Sequence, residues 1–342
     1  MTASTQPAAL RPWLWAGVAL TVFKLWLTRG QSVFAIAGAS HDDRLFLVLA
    51  DSIARGQWLG DYNQLTLAKG PFYSLFVAAV FWLGVPLLLA QQLLYAGASA
   101  VFVRACRPAI RSGAALFFIY ALLLWNPMSF ESSSLGRILR QQINPAQLLF
   151  IFASLTALYY RRREAFRAQV PWAALLGCAF GSFWLTREDA VWLAPGVVLL
   201  LVVHLVAVAR ESGALLRRGA KLFALAAACA ALPLLAVSAM NYRHYHWFGT
   251  VEFRASAFRD AYGAMVRVKV GPDLPHVPVT RQAREAIYAI SPAFAELRPF
   301  LDGDIGRAWA GSSEGVTGIP ADRKSTRLNS SHLRLSRMPS SA

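Results

Sequence analysis

Two adjacent carboxylates and one lysine mark the ends of the first long polar stretch of this sequence. Asp42 and Asp43 open the stretch, and Lys69 closes it just before Gly70-Pro71. A carboxylate can act as a general base or bind a divalent metal, and an ammonium group can bind a phosphate as a point charge. Because the stretch lies between apolar runs, these groups suggest chemistry at a membrane surface.

The same residues also have simpler explanations, and the sequence leaves both kinds open. Asp42 and Asp43 lie where a helix is predicted to begin, so they could cap it and interact favourably with its dipole. Lys69 could be an anchor that extends its ammonium group to the membrane surface before the next helix. Arg187 and Glu188 interrupt apolar sequence further along. They could line the same site or belong to a short solvated turn.

The composition indicates a membrane protein. Hydrophobic residues make up 56% of the 342 residues, and the mean hydropathy is +0.42. Several apolar runs approach the ~20 residues that cross a bilayer core. They are Trp13–Leu27, Leu148–Tyr160, Val191–Val208 and Leu222–Val237. The sequence therefore predicts an all-α polytopic membrane protein.

The net charge of +16 could suggest a nucleic-acid-binding protein. The arginines, however, cluster between apolar runs, at Arg104–Arg111, Arg161–Arg163 and Arg217–Arg218. This is the pattern of cytoplasmic loops under the positive-inside rule. We therefore interpret the charge as a topology signal, and we expect the bilayer, not nucleic acid, as a partner.

Placing those arginines inside predicts which loops share the opposite, outer face. The predicted outer segments are His41–Lys69, Ser132–Pro145 and Arg187–Asp189, opposite Arg104–Arg111 and Arg161–Arg167. This placement requires an odd number of membrane crossings between Phe72 and Val103, and one full crossing plus a partial or interfacial helix is expected there. Each later apolar run then crosses once, beginning with Leu116–Trp125. Arg137 and Arg140 are the exception to the rule, because they fall in an outer loop.

The first outer loop is predicted to contain an amphipathic helix. Ser40 and Asp43 have capping-box spacing, which places the N-cap at Ser40. The following turns carry an apolar stripe of Leu45, Phe46, Leu49, Ile53 and Ala54. We expect this helix to lie at the membrane interface, together with Trp58 and Tyr62.

The chain divides into three predicted parts. Residues 1–240 form a transmembrane bundle whose first outer loop is 29–71, and residues 241–321 form an outer-face loop or the start of a soluble domain. Residues 322–342 read as a translated sequencing adapter, which would make the chain a truncated fragment with a disordered tail. Ionisable residues are otherwise almost absent from the helix centres, apart from Lys24 and His204, which is unlike an ion-coupled transporter.

The first outer loop resembles that of a known family. An apolar helix is followed by Asp-Asp, an amphipathic helix with Ala-Arg-Gly-Gln-Trp at residues 54–58, and Lys69-Gly70-Pro71 before the next helix. This order resembles the GT-C glycosyltransferases, with the bacterial aminoarabinose transferases and protein O-mannosyltransferases nearest. The resemblance covers about Pro12–Val103 and rests on architecture beyond it. The chain departs from the family pattern in having Asp43 where Glu is common and Gly70 where a proline is common.

The resemblance implies a function and roles for the candidate residues. The chain would be a GT-C-like enzyme that moves a sugar from a polyprenyl-phosphate carrier to a lipid or glycan acceptor, with inversion at the sugar carbon. Asp42 or Asp43 would be the catalytic base, and Lys69, Arg187 and Glu188 would bind substrate. No cofactor is certain and a divalent metal is possible. The enzyme would lie in the bacterial inner membrane with its active face outside, and this truncated fragment would be inactive.

A non-enzymatic function is the alternative. A lipid-linked sugar flippase, a transporter or an envelope assembly protein would have the same composition. Paired carboxylates at one surface favour the enzyme, whereas a polar cavity through the bundle would favour the alternative.

Overall fold

The structure, a computed structural model, describes residues 11–36, 42–63, 65–130, 136–271, 277–304 and 306. Within these ranges the regular elements are helices, and no strand is formed beyond one isolated bridge between Phe34 and Arg137. Five helices in the described part are long and apolar enough to cross a membrane. The predicted all-α, multi-pass architecture is confirmed at this level. Ser40, His41 and residues 322–342 lie outside the described residues.

The described chain separates into two compact units. The first comprises residues up to Tyr62 and Lys69–Thr250, and the second comprises Asn63–Ala68 and the residues from Val251 onward. The helices of the first unit are α1 (Arg11–Thr28), α2 (Asp43–Ala54), α3 (Phe72–Trp82), α4 (Leu87–Cys106), α5 (Gly113–Leu124), α6 (Asn144–Tyr160), α7 (Phe166–Thr186), α8 (Ala194–Glu211) and α9 (Gly213–Tyr245).

Helix lengths test the predicted crossings. At 1.5 Å per residue, the 20-residue α4 is about 30 Å long, whereas the 11-residue α3 is about 16 Å. Only α4 of these two helices is long enough to cross a bilayer core, as expected for one full crossing plus a partial or interfacial helix between Phe72 and Val103. The number of crossings itself stays a prediction. The 12-residue α5 is about 18 Å long and is too short for the full crossing expected of it. Helix α1 contains the predicted run Trp13–Leu27 but is not among the five candidate spans.

Helix α7 is the centre of the bundle and packs against both α6 and α9. Two glycines four residues apart, Gly177 and Gly181, allow the backbone of α9 to come close. A Cβ added at Gly177 would lie 2.2 Å from the carbonyl oxygen of Ala226, and one at Gly181 would lie 2.7 Å from that of Ala230. This is the small-residue packing by which membrane helices associate without a hydrophobic driving force between them.

The two ends of the bundle carry different loops. At one end, Arg161 donates to the carbonyl oxygens of Arg104 and Ala105 at 2.8 and 3.1 Å. At the other end, Arg140 donates to the carbonyl oxygen of Thr186 at 3.0 Å. Helix α6, 17 residues and about 25 Å long, separates the two sets. The loops predicted to share a face therefore meet at one end, opposite the arginine-rich loops.

The first loop packs against protein. The buried stripe of α2 contains Leu45, Phe46 and Leu49 and faces α3, where Phe46 meets Tyr73 edge to face at 5.1 Å. Trp58 is also buried, and its indole N–H donates to Asn241 in α9 at 2.8 Å. Trp58 therefore packs against protein, and its expected position at the depth of the membrane interface stays a prediction.

Lys24, a cation predicted to lie within a membrane helix, is fully buried and caps a neighbouring helix. Its ammonium group donates to the carbonyl oxygen of Leu124, at the end of α5, at 2.6 Å and to Ser129 Oγ at 2.9 Å. A cation at this position also interacts favourably with the negative end of the helix dipole. The charge therefore has a structural role.

The second unit has its own small core. Its helices are α10 (Ser256–Arg267), α11 (Arg281–Ile290), α12 (Pro292–Ala295) and α13 (Arg298–Leu301). The core residues are Met265, Val279, Ala283, Ile287, Phe294 and Leu301. Beside this core the carboxylate of Asp302 accepts from both Arg284 and Tyr288. Burial would raise the pKa of Asp302, but these two hydrogen bonds and the charge of Arg284 bring the net pKa below its usual value.

Candidate active site

Asp43 is held in the first turn of α2 as a fully buried carboxylate. Its side chain is 0% exposed and accepts two hydrogen bonds from Arg137, at 3.2 Å from Nε and 2.5 Å from Nη2. Such a bidentate pair fixes both partners in one geometry. Hydrogen bonding to Asp43 also raises the pKa of Arg137. Asp43 is therefore occupied in joining the first loop to the segment before α6.

Asp42, and not Ser40 as predicted, occupies the N-cap position of α2, and its side chain does not cap the helix. Its carboxylate forms an ion pair with Lys69, 27 residues later, and 41% of the side chain remains exposed. The neighbouring aspartates therefore differ in environment: Asp42 is accessible, whereas Asp43 is not.

Lys69 is buried where the loop returns to α3. Only 5% of its side chain is exposed, and its ammonium group lies 5.3 Å from the centre of the Phe46 ring, within cation–π distance. Gly70 sets this position, because a Cβ there would lie 1.9 Å from the carbonyl oxygen of Leu185. The loop backbone touches the end of α7, and a side chain would prevent that contact.

A second group of polar residues continues from this contact. Arg140 donates to the carbonyl oxygen of Thr186, and the amide of Gln147 donates to Thr186 Oγ1 at 2.9 Å. With its amide oxygen turned toward the guanidinium, Asn144 accepts from Arg187 at 3.3 Å. Hydrogen bonds from arginine and amide side chains therefore connect the start of α6 to the end of α7.

Four cations lie near the two aspartates at this end of the bundle: Lys69, Arg137, Arg140 and Arg187. Two further acidic residues, Glu188 and Asp189, follow Arg187 in the chain. An anionic group that approached the partly exposed Asp42 would find Lys69 as the cation in direct contact with it.

The structure brings together most of the predicted site residues. Asp42 and Lys69 are in direct contact, and Asp43 adjoins them through the chain. Arg187 lies at the end of α7, next to the residues that contact Gly70. The side chain of Glu188 lies outside the described part of the chain, so its predicted role stays a prediction.

Sequence reasoning did not assign Arg137 or Arg140 to the site, although a signal was present. They form the one arginine pair that falls on the outer side under the positive-inside rule. An arginine placed against that rule needs a local partner. Here the partners are the carboxylate of Asp43 and the carbonyl oxygen of Thr186.

The described residues do not offer a set of metal ligands. No group of three or more His, Cys, Asp or Glu side chains that could hold a metal occurs among them. Asp42 and Asp43 are each paired with a cation, which is a poor environment for a divalent ion. We therefore assign no step to a metal.

Comparisons of the chain with protein-family models, curated proteins and solved structures gave no match.

Proposed function

We propose that the end of the bundle around Asp42 and Lys69 is the active site of a GT-C-like membrane glycosyltransferase. The enzyme moves a sugar from a polyprenyl-phosphate carrier to a hydroxyl acceptor on a lipid or glycan. One observation carries the proposal: a partly exposed carboxylate contacts a buried cation, with further cations nearby, at one end of a bundle of membrane length.

Asp42 is the general base of this reaction. Its carboxylate takes the proton of the acceptor hydroxyl as the acceptor oxygen bonds to the anomeric carbon of the sugar. The bond between that carbon and the phosphate oxygen breaks, and the electron pair stays on the departing polyprenyl phosphate. Attack from the face opposite the phosphate inverts the anomeric carbon. The greater exposure of Asp42 favours it over Asp43 for this role.

Asp43 is a positioning residue. Its two hydrogen bonds from Arg137 hold the first turn of α2, and this turn follows Asp42 directly. A fixed first turn limits the directions that the Asp42 side chain can take. Preorganisation of this kind lowers the cost of orienting the base.

Lys69 and Arg187 stabilise the phosphate that leaves. Without donor, Lys69 is paired with Asp42. A bound donor phosphate competes for the ammonium group, which leaves the carboxylate available as a base. The phosphate gains negative charge as the sugar departs, so these cations act most strongly on the transition state.

The arginine distribution supports placement of this site on the outer face of a bacterial inner membrane. The opposite end of the bundle carries Arg104, Arg107 and Arg161–Arg163, as expected of a cytoplasmic surface. Polyprenyl-phosphate sugars and their acceptors would then meet Asp42 at the outer surface.

The test is sugar transfer in proteoliposomes that contain the complete gene product and a radiolabelled polyprenyl-phosphate donor. Aminoarabinose and mannose donors are the first to try. Asp42→Asn should lower transfer by about 10²–10⁴-fold. Asp51→Asn is the matched control, because Asp51 lies on the same helix, exposed and paired with Arg55. Transfer at the wild-type rate by Asp42→Asn would refute the assignment.

A second measurement separates the enzyme from a flippase. Both would bind sugar-free polyprenyl phosphate through Lys69, so Lys69→Gln should weaken that binding in either case. Only the enzyme forms a glycosylated acceptor. Movement of intact lipid-linked sugar across the bilayer, without acceptor product, would support the non-enzymatic alternative.

A further inference from the structure

An apolar groove opens at the arginine-rich end of the bundle, opposite the proposed active site. It lies among α1, α4 and α5 and has a volume of about 430 Å³. Its walls include Trp13, Val18, Val103 and Phe117. The volume falls within the ~300–1,000 Å³ of small-molecule sites.

The groove is long and reaches into the bundle. The α1 residues that line it run from Trp13 to Thr21, eight residues apart, which corresponds to about 12 Å along the helix. Gly17 lies midway and widens the groove, because a Cβ there would already touch the ring of Tyr120 at 3.6 Å. An extended chain fits this shape better than a compact ligand does.

The polar atoms deep in the groove need no ligand. Thr21 donates its hydroxyl proton to the carbonyl oxygen of Gly17 at 2.8 Å. Its oxygen lies 2.6 Å from the hydroxyl of Tyr120, which must then be the donor of that hydrogen bond, since Thr21 has one hydroxyl proton. The deep part therefore offers a ligand apolar contacts, and an apolar cavity of this kind does not hold water well.

The mouth of the groove is strongly positive. Arg104 and Arg107 line it, and both residues are exposed. Among the described residues, no ion pair joins either guanidinium group to a carboxylate. Burial lowers the pKa of nearby Arg161, Glu164 opposes this with the second-largest effect, and the positive charges of Arg104 and Arg107 each lower the pKa further. An anion between Arg104 and Arg107 would relieve this repulsion.

Arg161 also removes an obstacle to anion binding at this position. The carbonyl oxygens at the end of α4 would repel an anion. Arg161 covers those of Arg104 and Ala105 with two hydrogen bonds. The end of α4 can therefore accept a phosphate beside it.

We propose that this groove binds an anionic phospholipid, with one acyl chain along α1 and the phosphate between Arg104 and Arg107. Charge complementarity selects the headgroup, and the apolar walls select the chain. Around the groove α1 exposes Leu14 and Val18, so the surrounding medium in a membrane is itself lipid. Basic pockets between membrane helices bind acidic lipids in this way. The site is independent of the proposed transfer reaction.

Native mass spectrometry of the full chain in detergent provides the test, with phosphatidylglycerol and phosphatidylcholine of identical acyl chains as probes. Phosphatidylglycerol should bind at least about tenfold more tightly. The Arg104→Gln/Arg107→Gln variant should lose this preference. Arg111→Gln is the matched control, because Arg111 belongs to the same basic loop but does not line the groove. It should bind like wild type.

A second variant tests the groove without altering its charge. Gly17→Leu places a side chain in the space beside Tyr120 and should reduce phosphatidylglycerol binding at least about tenfold, with the arginines intact. This arm keeps the proposal testable if the arginine double variant does not fold. Circular dichroism and gel-filtration elution verify folding of each variant.

Several outcomes would overturn the proposal. Equal binding of the two lipids to wild type would exclude headgroup recognition. Saturable binding of inorganic phosphate that depends on Arg104 and Arg107, with no lipid preference, would identify a free-anion site instead. Lipid binding that appears only after deletion of residues 2–10 would identify that segment as the occupant. Unchanged lipid binding by Gly17→Leu would place the lipid elsewhere.

Discussion

Replacing Arg137 by glutamine should destabilise the first unit more than any comparable exposed substitution. The change removes the only cation that contacts the Asp43 carboxylate among the ion pairs described for this loop. The side chain of Asp43 is 0% exposed, so water cannot readily replace the lost partner. Removing one member of a buried ion pair costs about 3–5 kcal/mol. Because 28% of the Arg137 side chain is exposed, we expect about 3 kcal/mol, the lower end of that range.

The reverse substitution should cost less. Asp43→Asn leaves Arg137 without its carboxylate, but the partly exposed guanidinium can turn to water. The loss is then that of a hydrogen bond to a charged group, about 1.5–3 kcal/mol. In the double variant, two amides replace the two charges. It should be no less stable than Arg137→Gln, which gives a coupling free energy of at least about 1.5 kcal/mol in a double-mutant cycle.

The free energy of unfolding is measured by titration of the detergent-solubilised chain with a denaturing detergent, followed by circular dichroism. Arg55→Gln is the control, because Arg55 and Asp51 form an i,i+4 pair on the same helix with side chains 67% and 59% exposed. Such a pair contributes about 0.3–0.5 kcal/mol. If Arg137→Gln costs no more than Arg55→Gln, Asp43 is not a buried carboxylate, and its positioning role is refuted.

Two further predictions concern a glycine and the pH dependence of the second unit. Gly70→Ala should destabilise the first unit and displace the loop, because the added Cβ would overlap the carbonyl oxygen of Leu185. Gly97→Ala is the control: nothing lies within 4 Å of its added Cβ, so this change should be neutral or stabilising by about 0.5–1 kcal/mol. Thermal unfolding of the two variants measures the difference. The lowered pKa of Asp302 contributes stability that is present above about pH 4 and lost as pH falls below it. The raised pKa of Tyr288, caused first by burial and then by Asp302, contributes stability that is lost above about pH 10. Amide hydrogen exchange in Arg281–Ile290, corrected for intrinsic rates, should therefore show constant protection between about pH 4 and pH 10 and lower protection outside this range. If the Asp302→Asn variant lost protection below about pH 4 to the same extent as wild type, the role of Asp302 would be contradicted.

Helix positions were predictable from the sequence because apolar runs and their flanking charges are local features. The predicted run Trp13–Leu27 lies within α1 (Arg11–Thr28), and the predicted run Leu148–Tyr160 lies within α6 (Asn144–Tyr160). The close approach of α7 and α9 at Gly177 was not predicted. A glycine in an apolar run is visible, but the partner backbone that faces it depends on tertiary packing.

Part of the candidate site was also predictable. The proximity of Asp42 and Lys69 could be inferred because these oppositely charged residues lie at the two ends of one loop. The partner of Asp43 did not follow, because Arg137 lies 94 residues away and only the folded bundle brings it near. Trp58 was assigned to the membrane interface by residue type, and Asn241 in α9 was not foreseeable as its partner.

The long separation between Asp43 and Arg137 has a consequence for biosynthesis. Asp43 leaves the ribosome 94 residues before its partner, which at ~5–20 residues per second corresponds to roughly 5–20 s. Throughout that interval the carboxylate lacks the guanidinium that allows its burial, so α2 cannot take its final place on α3. The contact of Gly70 with Leu185 extends the wait until the end of α7 has been made. The first loop is therefore made early but is among the last parts of the bundle to reach its native packing.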